Sequence, residues 1–66
     1  MEIATVLRNR RKDLGLTQAE AAALAGVSPR FVYDLEKGKP TVALDKVLQL
    51  AEALGVELKW QVIKRG

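Results

Sequence analysis

Residues 17–38 read TQAEAAALAGVSPRFVYDLEKG, and the start and stop signals inside this stretch decide the architecture. Thr17 stands three residues before Glu20, the spacing of a capping box. The hydroxyl accepts from the backbone N–H of Glu20, and the carboxylate reaches back to the backbone N–H of Thr17. The alanine-rich run that follows is made of good helix formers as far as Ala25. Gly26 then supplies a residue that can take the left-handed conformation ending a helix. Only Gly26, Val27 and Ser28 separate this helix from the next, which Ser28 caps and Pro29 opens. Proline suits that first position because its missing N–H would have been unpaired anyway. The second helix runs to about Glu36 and stops near Gly38.

Two short helices joined by a three-residue turn containing glycine form a helix-turn-helix unit. Helices that cross closely need a small residue at their contact, which Ala22 supplies, while Val27, Val32 and Leu35 are spaced to pack the second helix on a core. Upstream, Ile3, Val6 or Leu7, and Leu14 recur at helical spacing from Glu2 to Leu14, and Gly15 ends that helix. Downstream, Pro40-Thr41 announces another helix with Thr41 as its N-cap, a buried stripe of Leu44, Val47, Leu48, Ala51 and Leu54, and Gly55 at its end. The period then changes. Val56, Leu58, Trp60 and Val62 alternate with Glu57, Lys59, Gln61 and Ile63, as in a half-buried strand. The rest of the chain holds no second strand, so the expected partner is the same strand of a second copy, pairing antiparallel across a two-fold axis.

Composition narrows the function. Sixty-six residues allow one domain with a small core. The chain has no cysteine and no histidine, which removes disulfides, thiolate and imidazole metal ligands, thiol nucleophiles and histidine bases. Asp13, Glu20, Asp34, Asp45 and Glu52 have solvated or capping explanations and form no nucleophile–base pair, so neither an enzyme nor a cofactor is expected. No apolar run approaches the ~20 residues of a membrane span, and a cytoplasmic location is expected. The net charge is +3, and seven of the eleven basic residues fall in two groups. Arg8, Arg10, Arg11 and Lys12 form one, and Arg30, Lys37 and Lys39 the other; together they can flank an element inserted in a DNA groove and meet phosphates.

The stretch LTQAEAAALAGVSPRFVYDLEKGKP, with KVLQLAEALGV behind it, resembles the lambda-repressor/Cro-like helix-turn-helix family, XRE-type, from Leu7 to Val56. The resemblance implies a mainly α bundle of four or five helices whose third helix enters the major groove. Residues 1–55 would form the DNA-binding body and 56–66 the dimerising strand and tail. More narrowly, SPRFVYDLEKGKPTVALDKVLQLAEALGVEL followed by a strand looks like the HipB-like antitoxins. That likeness implies a homodimer on a palindromic operator that represses its own operon and neutralises a HipA-like kinase toxin. A stand-alone or phage-type repressor, or an interaction module that has lost DNA binding, are the other readings of the same residues.

Candidate contacts follow. In the family, the glutamine matching Gln18 bonds a DNA phosphate at the start of the second helix, and the arginine and glutamate matching Arg11 and Glu36 form a structural ion pair. The first turn of the recognition helix offers Ser28, Pro29, Arg30 and Phe31, with Tyr33 and Asp34 one turn on. Arg30 can pair bidentately with guanine; its alternatives are a phosphate or Asp34 at i,i+4. Phe31 can pack on thymine methyls and Tyr33 can bond a phosphate, or each can be half-buried against a neighbouring helix; both depart from the polar recognition helices commonest in the family. Lys37 and Lys39 follow the helix and are expected to face the DNA backbone, a solvated charge run being the alternative. Val56, Leu58, Trp60 and Val62 are assigned to the dimer interface.

Overall fold

The capping box closes as its residues require: Thr17 Oγ1 accepts from Glu20 N at 3.0 Å, and Thr17 N donates to Glu20 Oε1 at 2.9 Å. Donation from the Thr17 backbone also holds the Glu20 carboxyl below its ordinary pKa. In the computed structural model, which describes residues 2–59, this box opens the second of four helices. They are α1 (Glu2–Asp13), α2 (Gln18–Ala25), α3 (Pro29–Glu36) and α4 (Leu44–Ala53). α2 lies against both α3 and α4, and α1 closes over α3. The core between them is Leu7, Val32, Leu35, Leu50 and Leu54, with Ala4, Ala21, Ala22, Val47 and Ala51 where backbones come close.

The α2–α3 turn rests on Gly26, which sits at φ 72 and ψ 30 with its N–H donated to the Ala22 carbonyl. A Cβ built there meets nothing within 4 Å, so the cost of a side chain is conformational alone. Gly26→Ala is expected to lower the unfolding free energy by about 1–2 kcal/mol, the penalty of a left-handed non-glycine residue. Urea unfolding would measure it, and an unchanged midpoint would show that the turn relaxes freely.

Three expectations are corrected outside the two-helix unit. α4 begins at Leu44 with Ala43 as N-cap and no side-chain cap bond, instead of being capped by Thr41. Val42 packs against the core, and a chain drawn inward there stays extended past Thr41. The buried stripe of α4 is Val47, Leu50, Ala51 and Leu54, while Leu44 and Leu48 are exposed. Both stripes fit a helical period. At ~100° per residue Leu44 and Leu48 lie roughly 60–100° round from Val47, off the side that α2 covers. In α1 the stripe is Ala4, Leu7 and Arg11, leaving Val6 and Leu14 exposed.

The expected terminal strand is also absent among the described residues: Val56 to Lys59 carry no β pairing. Val56 N donates to Ala51 O at 2.8 Å, so the first backbone donor of the segment is spent closing α4. Val56 and Leu58 pack against the core as partly buried residues. Trp60 and Val62, the other two assigned to that strand, lie outside the described residues. Val56 and Leu58 join Ile3, Val6, Leu44 and Val47 around an open groove of ≈ 390 Å³. Leu48 borders a second hollow shared with Val56 and Leu58.

Candidate nucleic-acid interface

α3 is fixed at its start and along one side. Ser28 Oγ accepts from Phe31 N at 3.1 Å, and Pro29 occupies the first turn. Val32 and Leu35 are fully buried, and Phe31 is half-buried against the core. Of the two aromatic residues, Phe31 therefore takes mainly the packing role. The remaining face carries Pro29, Arg30 and Tyr33, with Lys37 and Lys39 just beyond the helix, all exposed to solvent.

Two of the cations on that face, Arg30 and Lys39, share one carboxylate. Arg30 Nε lies 3.1 Å from one Asp34 oxygen and Lys39 Nζ 3.7 Å from the other. The Arg30 side chain is 78% exposed, whereas that of Asp34 is 19% exposed. The i,i+4 pairing of these two residues is thus present, made through Nε of an otherwise largely exposed arginine. Tyr33 adds a further constraint: the Arg30 guanidinium carbon is 5.5 Å and Lys37 Nζ 5.3 Å from its ring centroid. Cation–ring contacts of this kind are worth about 0.5–1 kcal/mol at exposed sites. Their i,i+3 and i,i+4 spacing was the signal that could have revealed them. The bridge to Lys39 was missed because that residue lies past the helix end.

The Arg11–Glu36 pair forms, and it is more connected than a simple ion pair. Arg11 Nε and Nη2 donate to the two Glu36 oxygens at 2.6 and 2.9 Å, and Nη1 donates to the Leu16 carbonyl at 2.7 Å. Gln18 Nε2 donates to Glu36 Oε1 at 3.1 Å. One network thus ties α1, the α1–α2 turn, the start of α2 and the end of α3. Side chains of Arg11 and Glu36 are 10% and 6% exposed. Burial works against the Glu36 anion, but the hydrogen bonds from Arg11 and Gln18, aided by the charges of Arg11 and Arg8, outweigh it and hold the carboxyl below its usual range. The bond to Glu36 raises the Arg11 pKa against the opposing effect of burial.

The first basic group is therefore divided. Arg11 serves the network, and Arg10 Nε donates to the Leu54 carbonyl at 2.8 Å, placing a cation at the C-terminal end of α4 where the helix dipole favours one. Nothing local in the sequence connects residues so far apart. Arg8 and Lys12 remain exposed. Among the described residues no group of acidic side chains is disposed to hold a metal ion.

The chain matches the helix-turn-helix family over residues 7–61. It is 46% identical over 57 residues to an uncharacterized HTH-type transcriptional regulator of Sinorhizobium fredii, covering 86% of this chain and 75% of that protein. To an uncharacterized HTH-type transcriptional regulator of Methanothermobacter thermautotrophicus it is 43% identical over 53 residues, covering 80% of this chain and 77% of the other. The matched region runs from within α1 past the end of α4 with the α2–Gly26–α3 unit at its centre, and the chain belongs to the XRE-type helix-turn-helix family.

Proposed function

We propose that this chain is a DNA-binding transcriptional repressor that docks α3 in the major groove of a palindromic operator as a homodimer. The observation that carries the reading is the outer face of α3, where Arg30 is solvent-directed and Lys37 and Lys39 stand at the helix end. Phosphate contacts from the lysines would set register, and the arginine would read a base edge. Gln18 spends one amide hydrogen on Glu36 and keeps the other, so a phosphate at the start of α2 would be met by that hydrogen, the backbone N–H and the helix dipole. The regulators of S. fredii and M. thermautotrophicus support a regulatory role. No helix among the described residues is long and apolar enough to cross a membrane. The role requires no catalysis and no cofactor.

Selection of duplexes from a random-sequence library tests this reading. Arg30→Ala is expected to weaken the selected site about 5- to 150-fold per half-site and to relax preference at one position, the worth of one bidentate base contact. Lys39→Ala is expected to weaken all sequences alike and to flatten the salt slope by about one. An Arg30→Ala protein that selects and binds like the wild type would overturn the assignment of Arg30 to a base.

The residues from Ser28 to Leu58 support a narrower role as a HipB-like antitoxin that binds a HipA-like kinase toxin. Recovery of a kinase-fold protein with this chain from its native host is the expected result. A host that neither yields nor encodes one beside this gene would leave a stand-alone repressor.

A further inference from the structure

Resting on the DNA-binding reading of α3, we infer that Asp34 is a positioning residue that aims Arg30 at a guanine, setting base preference at the expense of general affinity. A carboxylate on a surface that meets phosphates is a repulsive element. What it does to its neighbours is visible in its contacts. Asp34 is the fixed partner of the pair, with a side chain 19% exposed against 78% for Arg30, so it is the arginine that is oriented. The bond is made through Arg30 Nε, with the carboxylate oxygens 3.1 and 3.3 Å away. That leaves Nη1 and Nη2 outside the bond to Asp34, a pair of donors that guanine O6 and N7 can accept. The Tyr33 ring, 5.5 Å from the guanidinium carbon, restrains the same group from a second direction. Exclusion of water on docking strengthens the Asp34–Arg30 bond further.

The same carboxylate moderates non-specific attraction. It lies 3.7 Å from Lys39 Nζ as well, so it offsets part of two cations that would otherwise serve any phosphate. Removing Asp34 then releases both. Arg30 loses its aim but keeps its charge, and the surface becomes a better general polyanion binder with a poorer memory for sequence.

Wild type, Asp34→Ala and Asp34→Asn are each put through duplex selection from a random library, followed by affinity measurement on the selected duplex, a guanine-substituted duplex and a random duplex across a salt series. Circular dichroism melts establish that all three are folded. Wild type is expected to prefer guanine at one position per half-site by on the order of tenfold, and Asp34→Ala to retain about twofold or less. Both variants are expected to bind random duplex more tightly, with a salt slope steeper by up to about one. Asp34→Asn keeps an oxygen acceptor for Arg30 Nε and is expected to retain most of the guanine preference, which a merely electrostatic role would not allow. An Asp34→Ala protein with undiminished guanine preference overturns the inference. So does a loss of preference at a position that Arg30→Ala leaves intact, since Asp34 would then touch a base itself. A wild-type protein that enriches no sequence overturns the DNA reading, and this inference with it.

Discussion

Replacing Glu36 with alanine is expected to remove about 3–5 kcal/mol of unfolding free energy, the cost of leaving a buried guanidinium without its counter-charge. For 66 residues the whole stability is on the order of 3–10 kcal/mol, so the variant should be marginally folded at best. Its melting temperature should fall by more than ~12 °C, at ~4 °C or more per kcal/mol for a domain of this size. The effect is large because the carboxylate receives three hydrogen bonds, two from Arg11 and one from Gln18. Arg11 is then left with only the Leu16 carbonyl. The paired replacement Arg11→Met with Glu36→Leu should recover most of the loss, because removing both charges also removes their desolvation cost. A Glu36→Ala protein within ~1 kcal/mol of wild type would show that Arg11 finds water or another acceptor, contrary to its burial.

Acid should weaken the same network. The folded-state pKa of Glu36 is depressed relative to an unfolded glutamate near ~4.3, so the unfolded chain binds the proton more readily. The contribution is therefore complete above ~4.3 and is lost as pH falls through the lower folded value. Urea unfolding of wild type and Glu36→Gln at neutral pH and down to pH ~3 should show their stabilities converging toward the acid end. Glu20 titrates in the same direction but is common to both proteins and cancels in the difference. Stabilities that stay equally far apart throughout would assign the pH dependence to other carboxylates.

What was legible in the sequence is what adjacent residues decide. Thr17 with Glu20, Gly26 at the turn, and Ser28 before Pro29 act within three or four residues, and each forms as written. The pairing of Arg11 with Glu36 was legible only through family resemblance, since 25 residues separate them. The bond from Arg10 to Leu54 had no such guide, and Arg10 was grouped with phosphate-facing cations for that reason. The face of α4 is ambiguous in sequence because the apolar positions from Leu44 to Leu54 fit more than one helical stripe, and contact with α2 chooses among them. Thr41 is a good cap residue by type, yet Val42 finds a place in the core and the helix waits for Ala43. Alternation over Val56 to Lys59 suggested a strand, while the same residues bury one side without a ladder. For α3, spacing located the face, but not how Asp34 apportions its charges among Arg30 and Lys39.

Two glutamates on the apolar groove should cost more operator affinity than either single change at a half-site. Val6 and Leu44 are 48% and 56% exposed, large apolar side chains left facing water beside Ile3, Val56 and Leu58. A second copy covering this groove would bury them, and paired carboxylates cannot enter such an interface without several kcal/mol of desolvation. In the isolated chain the same substitutions touch little, so Val6→Glu with Leu44→Glu should fold normally. Sedimentation equilibrium is expected to show a dimeric wild type and a monomeric double variant. Because a dimer would make the second half-site contact intramolecular, its loss should reduce operator affinity by about 10²–10⁴ while leaving affinity for a single half-site unchanged. Truncation after Gly55, which removes Val56 and Leu58 from the groove, should act in the same direction. Leu24→Glu is the control: Leu24 is exposed on α2 and borders a different hollow with Ala25 and Gln49. A dimer that survives the double substitution but not Leu24→Glu would move the two-fold axis to the α2–α4 side. One that survives both, and also the truncation, would take the apolar groove out of self-association altogether.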